Sequence, residues 1–469
     1  MFKKLMSLVL ILSLCIPAAT AASAAEAPSV GGTSAIIMDA TTGEVLWSKN
    51  ADQVRAVASM TKVMAAYLVL DAVNSGQISM DTPVPISTYT YYFSRDSRYS
   101  NIPFDYDKTY TVEDMLEAFM CYSACAAGPA LGELVYGSED AFVDAMNAKA
   151  QEMGIEASFT ESYDSGRLSA ASMAKLAQKI VNECPQILDI AQRSSFEFGG
   201  RTYSTSNELL QGDWEGVGEV DGLKTGWSPS AGSCMVATST KDGSRLITVT
   251  MNAPTVRGRI TDSAELLRYG FEVLGDKKAE GYTYASPHTA TVSLNGGQVS
   301  MQAYLADGNN YVRLRDFANI INGTGSQFSL EYDSNQHAVV IQTGSAYAPS
   351  GSEGQATGTE TVFTKLTQPV LYVDGESYEI NSYLIGGLNY MKVRDLAAAI
   401  GCGIEWDSTT GRVVLIPNES ADTTANSSVE DGTAADDNTV NSDETVVTDD
   451  ANVAAVDEEI YSVEENIAA

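Results

Sequence analysis

The sequence is poor in histidine. It contains two, His288 and His337, and both lie in the downstream half of the chain. A Ser-His-Asp triad needs a histidine within hydrogen-bond reach of its nucleophile. The first half of the chain contains no histidine, so a Ser-His-Asp triad there is excluded. A serine nucleophile there would need a different base, and lysine is the natural candidate.

Cysteine is also scarce, and its spacing forms no framework. Five cysteines follow the N-terminal region, an odd number that gives little support to a disulfide scaffold. Cys121 and Cys125 have no further cysteine or histidine near them, which argues against zinc. We therefore expect neither a metal site nor a cofactor.

Positive charge is in short supply. Lys and Arg number 28 against 61 Asp and Glu, for a net charge of −33. Such an acidic chain argues against nucleic acid as a partner. Residues 419–469 hold 15 acidic residues and no Lys or Arg, a composition typical of a disordered tail.

Long hydrophobic runs are absent after the N-terminus. Lys3 and Lys4 precede an apolar run, and small residues follow it, which predicts a secretory signal over residues 1–24. No later stretch is long and apolar enough for a membrane span. We expect an exported, soluble mature protein in the cell wall, the periplasm or outside the cell.

The first chemical signal is Ser59 with Lys62, three residues apart before an apolar run. On a helix this spacing puts both side chains on one face, where the lysine could accept the serine proton. The spacing alone is weak, because a chain this long contains about one or two such matches by chance. A second match indeed occurs at Ser172 and Lys175, and a capping serine with a solvated lysine explains such pairs equally well.

The order of the predicted elements indicates an α+β domain. A hairpin over residues 34–47 precedes helices, predicted within 59–70, 111–120, 139–153 and 170–181. Residues 111–114 predict a capping box at the start of the second of these helices. Strands at 220–225, 233–238 and 245–251 and a closing helix at 259–274 come after them. A sheet built from both ends of the domain and flanked by a helical block fits this order. The tyrosine-rich stretch 88–110 has the composition of an irregular surface segment.

Beyond residue 281 the chain repeats itself. The run NYVRLRD at 310–316 returns as NYMKVRD at 389–395, and Tyr304 returns as Tyr383 at the same offset. Internal similarity of this kind predicts two copies of one small strand–helix–hairpin module. We expect repeats at 286–343 and 367–418, joined by a linker over 344–366.

Lys224, Thr225 and Gly226 end a predicted strand and complete a pattern. A cation beside a hydroxyl suits a carboxylate, and glycine allows a ligand backbone close. Together with Ser59-x-x-Lys62 and the serine loop at Ser123, this trio resembles penicillin-binding proteins and β-lactamases. The surrounding sequence includes IIMDATTGEVL at 36–46 and VDGLKTG at 220–226. It resembles the sequences of the low-molecular-weight penicillin-binding proteins, the D-alanyl-D-alanine carboxypeptidases of serine peptidase family S11.

The resemblance implies a β-lactamase/transpeptidase-like α+β domain over residues 28–276. It also implies a serine peptidase that removes the terminal D-alanine from peptidoglycan stem peptides, and that β-lactams acylate. Ser59 would be the nucleophile, Lys62 its base and Ser123 the proton relay. Substrate binding would fall to Lys224, Thr225, Gly226, Trp227 and Cys125. The backbone N–H groups of Ser59 and Trp227 would form the oxyanion hole.

Cys125 departs from the family pattern, which has asparagine at that position. A thiol is a weak donor and a weak acceptor, so substrate positioning should suffer. This leaves open a catalytically weak or inactive peptidoglycan-binding protein. A β-lactamase is less favoured, because no convincing deacylating glutamate is evident. The family's Asn-Pro-x-Gly element is also missing around residues 161–164.

The two repeats resemble the copper amine oxidase N-terminal-like domain, a small module appended to exported bacterial proteins. One histidine per region is too few for a copper site. The resemblance implies a spacing or wall-attachment role.

Overall fold

The computed structural model describes residues 25–419 except 337, 357 and 411. The signal predicted over residues 1–24 lies outside the described residues. The acidic tail predicted over 419–469 lies outside them from residue 420 onward.

The first region combines ten strands with eight helices. The strands are β1 (Ser34–Asp39), β2 (Val45–Lys49), β3 (Arg55–Ala56), β4 (Ala157–Ser158), β5 (Arg167–Leu168), β6 (Ser195–Phe198), β7 (Arg201–Ser204), β8 (Glu219–Ser228), β9 (Gly232–Lys241) and β10 (Ser244–Ala253). The helices are α1 (Lys62–Asn74), α2 (Thr88–Phe93), α3 (Val112–Glu117), α4 (Ala127–Tyr136), α5 (Glu139–Glu152), α6 (Ala170–Glu183), α7 (Gln186–Ala191) and α8 (Val256–Ala279).

The central sheet joins both ends of this region. Its order is β2-β1-β10-β9-β8, with antiparallel pairing throughout. β9 and β10 are joined by Asp242 and Gly243, both at positive φ, as a tight hairpin requires. The sheet predicted from the order of the elements is confirmed, and β8 forms its edge.

Both faces of the sheet are covered. Along β1, Ile36 and Met38 join the core of the helical block, while Ala35 and Ile37 join the core beneath α8. Every residue of β1 is buried, as expected for a strand packed on two sides. Gly270 of α8 lies directly over Ile37, where a β-carbon would not fit.

Helix α1 runs through the middle of the helical block. Ten of its thirteen residues are buried, so it is apolar all round rather than amphipathic. Its N-terminal residue, Lys62, is buried as well. An ammonium group at the start of a buried helix needs polar partners, and the neighbouring elements supply them.

The predicted capping box at the start of α3 is confirmed, because Thr111 and Asp114 each bond the other's backbone N–H. The prediction of an irregular surface segment over 88–110 is wrong in part. It contains helix α2, and Phe104 and Tyr110 are buried. The aromatic side chains of this stretch pack inward, which its polar composition concealed.

The second region contains β11 (Tyr282–Leu294), β12 (Gly297–Ala306), β13 (Asn309–Arg313), β14 (Phe328–Asp333), β15 (Ala338–Thr343), β16 (Val362–Thr367), β17 (Leu371–Val373), β18 (Glu376–Tyr378), β19 (Ser382–Ile385), β20 (Leu388–Lys392), β21 (Gly403–Asp407) and β22 (Arg412–Ile416). Within the described residues of this region, the helices are α9 (Leu314–Ile321) and α10 (Val393–Ala399). Each helix follows the corresponding strand of its repeat, as the internal similarity predicts.

The two repeats are intertwined rather than consecutive modules. The first strand of each pairs in parallel with the last strand of the other, β11 with β22 and β17 with β15. β13 pairs with its own counterpart β20, with Val312 opposite Met391 at the centre. Side chains of both repeats share one hydrophobic core. The expectation of two separate modules is therefore wrong, although the internal duplication is plain.

The stretch predicted as a linker, 344–366, is part of this packing. Tyr347 is buried in the shared core, and Val362–Thr367 pairs with β11 and β19. The second region also contacts the first. The Tyr284 hydroxyl donates to the buried carboxylate of Asp39, and Phe363 packs against the core beneath α8.

Among the described residues, every helix is too short or too polar to cross a bilayer.

Candidate active site

Ser59 lies on a single 3₁₀ turn, Ala58–Thr61, that leads into α1. The turn begins with Ala58 at positive φ, so the backbone bends sharply just before the serine. Lys62 follows as the first residue of α1. Its Nζ lies 2.9 Å from the Ser59 Oγ. The spacing seen in the sequence thus becomes direct contact between the two side chains.

Lys62 is fully buried and satisfies its ammonium group within the protein. Besides Ser59, it donates to the Tyr163 carbonyl at 2.8 Å and to the Cys125 Sγ at 3.4 Å. The Phe119 ring lies 5.4 Å away. Three donors with three acceptors hold the Nζ in one place beside the serine.

Ser123 comes directly after a π-helical turn, Ala118–Tyr122, and has positive φ. This conformation turns the chain so that Ser123 and Cys125 both line the cleft that contains Ser59. The Cys125 thiol lies 3.7 Å from the Ser123 carbonyl, and the Cys125 backbone N–H donates to the Ser100 carbonyl at 2.8 Å. Cys125 therefore bridges Lys62 and the serine loop, although with weak sulfur contacts.

Lys224 and Thr225 come from the edge strand β8, and both are buried. Lys224 Nζ donates to the Thr225 carbonyl at 3.1 Å, and the Thr225 hydroxyl lies 2.9 Å from that of Ser206. The pKa of Lys224 lies well below its ordinary value. Burial is the main cause, and the positive charges of Lys62 and Arg259 add to it.

Gly226 allows β8 to approach the nucleophile turn closely. A β-carbon at this position would lie 2.7 Å from the Val57 carbonyl oxygen and 3.3 Å from the Met60 nitrogen. The Gly226 carbonyl accepts from Arg259 Nη1 at 2.8 Å. Trp227, the next residue, is 58% exposed at the rim of the cleft.

The cleft itself has a volume of about 490 Å³. Ser59, Ser123, Cys125, Thr225, Gly226 and Trp227 all line it, with the buried Lys62 and Lys224 beneath. The structure thus brings all eight sequence-predicted site residues together. The second Ser-x-x-Lys match lies elsewhere, with Lys175 on helix α6 beside another groove.

Other polar residues of the cleft are not among those predicted from the sequence. Ser206 and Arg259 line it beside Thr225, and the buried Arg259 Nε has no hydrogen-bond partner among the described residues. Asp164 lines it as well. None is marked by a motif in the sequence, since they come from three distant segments. Only their position in the fold reveals them.

Burial also raises the pKa of Asp164, to about 6. The charge of Lys62 opposes this increase, and so does that of Lys224 more weakly, while Glu161 adds to it. The five cysteines of the described part of the chain are all free and buried, and no group of three or more potential metal ligands occurs within that part.

An antiparallel sheet with helices on both faces, and a serine–lysine pair beside its edge strand, defines the class of active-site serine peptidases with a penicillin-binding fold. Comparison with known families agrees. The family model described as D-alanyl-D-alanine carboxypeptidase, peptidase S11, matches residues 21–255, half of the chain. The chain belongs to this family.

Individual relatives point the same way. The chain is 32% identical over 253 residues to the D-alanyl-D-alanine carboxypeptidase DacC of Escherichia coli, covering 52% of this chain and 62% of that protein. The chain thus matches somewhat less than two thirds of the length of this relative.

Two solved structures share the fold. Penicillin-binding protein 6B from Escherichia coli has 25% identity and a TM-score of 0.50, covering 61% of this chain and 88% of that one. Penicillin-binding protein 5 from Haemophilus influenzae has a TM-score of 0.52 at 24% identity, covering 78% and 98%. The second likeness speaks for the fold alone.

Proposed function

We propose that this protein is a serine-type D-alanyl-D-alanine carboxypeptidase, which removes the terminal D-alanine from peptidoglycan stem peptides. One observation carries the proposal: the Lys62 Nζ lies 2.9 Å from the Ser59 Oγ inside a cleft. A serine hydroxyl becomes an effective nucleophile only when a base is within such reach. The matching family model supports the choice of substrate.

In this mechanism the substrate carboxylate is bound first. Lys224 and Thr225 bind it, assisted by Arg259, whose side chain lines the same wall of the cleft. Burial and neighbouring cations disfavour the charge on Lys224, so an arriving carboxylate restores it. The bound carboxylate thus fixes the substrate beside the Ser59–Lys62 pair.

Ser59 then attacks the carbonyl between the two D-alanines, and Lys62 accepts its proton. The developing oxyanion takes hydrogen bonds from the backbone N–H groups of Ser59 and Trp227. The close packing of Gly226 against the nucleophile turn supports this pairing of β8 with Ser59. Ser123 passes a proton to the leaving D-alanine, and water later releases the acyl-enzyme.

β-Lactams would acylate the same serine, since their strained amide occupies the place of the peptide carbonyl. The test uses purified protein with a pentapeptide that ends in D-Ala-D-Ala, and separately with labelled penicillin. We expect release of D-alanine, and a penicilloyl adduct on the peptide that contains Ser59. Ser59→Ala should abolish both.

A catalytically inactive peptidoglycan-binding protein is the alternative that Cys125 suggests. Under it, no D-alanine would be released, and Ser59→Ala would leave muropeptide binding unchanged. The intact contact between Lys62 and Ser59, with Cys125 satisfied at both sides, favours the enzyme.

We also propose a role for each part of the chain. Residues 28–276 form the catalytic domain, preceded by a signal peptide over 1–24 that directs export. Residues 286–418, similar to copper amine oxidase N-terminal-like repeats, act as a spacer or attach to the wall. Binding of the full-length chain to peptidoglycan already trimmed of D-alanine would support attachment. If the chain no longer bound peptidoglycan once the D-alanine had been removed, attachment to the wall would be contradicted.

A further inference from the structure

Asp164 is the acidic side chain of the cleft. Among the described residues that line it, Asp164 alone carries a carboxylate, and it shares the wall with Ser59. It occupies the segment where the family's Asn-Pro-x-Gly element is missing. A carboxylate therefore lines the same cleft as the nucleophile.

The segment that carries Asp164 is fixed from three sides. Ser162 donates to the Glu139 carboxylate through its backbone N–H at 2.7 Å and its hydroxyl at 3.1 Å. The Ser165 hydroxyl accepts from two backbone N–H groups at 2.9 Å each, those of Thr160 and Glu161.

The remaining anchors come from the nucleophile's own helix. The Gly166 N–H donates to the Thr61 hydroxyl at 2.8 Å, and the Tyr163 carbonyl accepts from Lys62 at 2.8 Å. Asp164 follows Tyr163 directly. The backbone on both sides of Asp164 is thus tied to the turn of Ser59 and to Lys62, which limits where the carboxylate can lie in the cleft.

The charges around Asp164 suit a base. Lys62 on α1 and Lys224 on β8 lower its pKa, whereas Glu161 on its own segment raises it. Arg98 and Arg259 line the same cleft. With its pKa raised to about 6, the carboxyl is mostly ionised at neutral pH, yet it is basic enough to accept a proton from water.

We propose that Asp164 activates the water that hydrolyses the acyl-enzyme, and that the protein consequently also turns over penicillins. The inference rests on the proposed function, because it requires the acyl-enzyme on Ser59. The Asp164 carboxylate takes one proton from water while the water oxygen bonds to the acyl carbonyl carbon. The ester bond to the Ser59 Oγ then breaks, Oγ takes a proton from Lys62, and the acyl group leaves as a free carboxylic acid.

Asp164→Asn tests this step, because it keeps the shape of the side chain and removes the base. Asp144→Asn is the matched control, since it removes the same charge from an exposed position of α5. Labelled penicillin is added to each protein, excess reagent is removed, and the adduct on Ser59 is followed over time by mass spectrometry. The melting temperature of each variant verifies folding.

We expect adduct formation to change by less than about threefold in Asp164→Asn, while adduct loss slows by about a hundredfold or more. In the wild type and in Asp144→Asn, the rate of loss should rise between about pH 5 and 7, as Asp164 ionises, and Asp164→Asn should lack this increase.

Equal adduct lifetimes in Asp164→Asn and the wild type would overturn this inference and leave the carboxypeptidase intact. A pH dependence that persists in Asp164→Asn would overturn it too. If no adduct forms on Ser59 in any of the proteins, the proposed function fails, and this inference fails with it.

Discussion

Gly226 and Val57 are in closer contact than any other residue type at 226 would permit, with the place of a β-carbon 2.7 Å from the Val57 carbonyl oxygen. The edge strand and the nucleophile turn are therefore held at one distance. This distance positions Thr225 and Trp227 relative to Ser59.

Gly226→Ala should separate these two elements. We expect the rate of acylation by penicillin to fall about a hundredfold, because a displacement of about 1 Å costs that much in positioning. Gly275→Ala is the control, since a β-carbon there meets nothing within 4 Å on helix α8. Near-normal acylation in Gly226→Ala would show that the close approach is not needed.

Cys125→Ala should weaken the site moderately. It removes the sulfur contact to Lys62 at 3.4 Å, and one hydrogen bond contributes about 1 kcal/mol, or roughly a five- to tenfold change in kcat/KM. Cys125→Ser retains a donor and an acceptor and should remain within about threefold of the wild type. D-alanine release from a pentapeptide is the measurement. Equal activity in all three proteins would make the thiol a packing residue only.

Lys224→Met should stabilise the protein while impairing binding of the substrate carboxylate. The folded state depresses the pKa of Lys224, so below the unfolded value of about 10.4 the unfolded chain binds more protons, and the lysine costs stability. The stability of the wild type should therefore rise with pH, and the advantage of Lys224→Met should shrink as the pH approaches 10.4.

Thermal unfolding of both proteins across this pH range checks the prediction. A constant difference in melting temperature would contradict it. KM for the pentapeptide should increase in Lys224→Met, whereas a peptide amide that lacks the terminal carboxylate should be affected much less.

A chain that ends at residue 343 should not fold its first repeat. β15 would lose its partner β17, and β11 and β13 would lose β22 and β20. We expect limited proteolysis to remove everything after the catalytic domain, whereas a chain that ends at Glu419 should resist. Penicillin labelling of Ser59 should survive in both. A protease-resistant first repeat would show that it is an independent module.

Local patterns in the sequence predicted local features well. The contact between Ser59 and Lys62 follows from their spacing of three residues. The capping box at Thr111 depends only on the residues of a single helical turn. The sheet followed from the order of its elements. The course of the segment at Asp164 could not be predicted, because it depends on anchors at Glu139 and Thr61, far away in sequence.

The duplication shows the same limit on a larger scale. Similar runs at 310–316 and 389–395 reveal two copies of one unit. The similarity does not indicate whether a strand pairs with a strand of its own copy or with one of the other copy. Pairing within one copy and pairing between the two copies satisfy the same hydrophobic pattern. Tyr304 packs against Tyr390, and Tyr311 packs against Tyr383, so each pair joins one residue from each repeat.

The exchange of strands also determines how the second region would respond to tension. β11 begins just after α8, β22 ends at Ile416, and the two run parallel with Val292 beside Val413. Pulling on the catalytic domain and on the chain beyond Ile416 would slide these strands along each other, so their hydrogen bonds would have to break together rather than one by one. Under the proposed role of the second region as a spacer or wall attachment, this geometry would let it yield only to a large force.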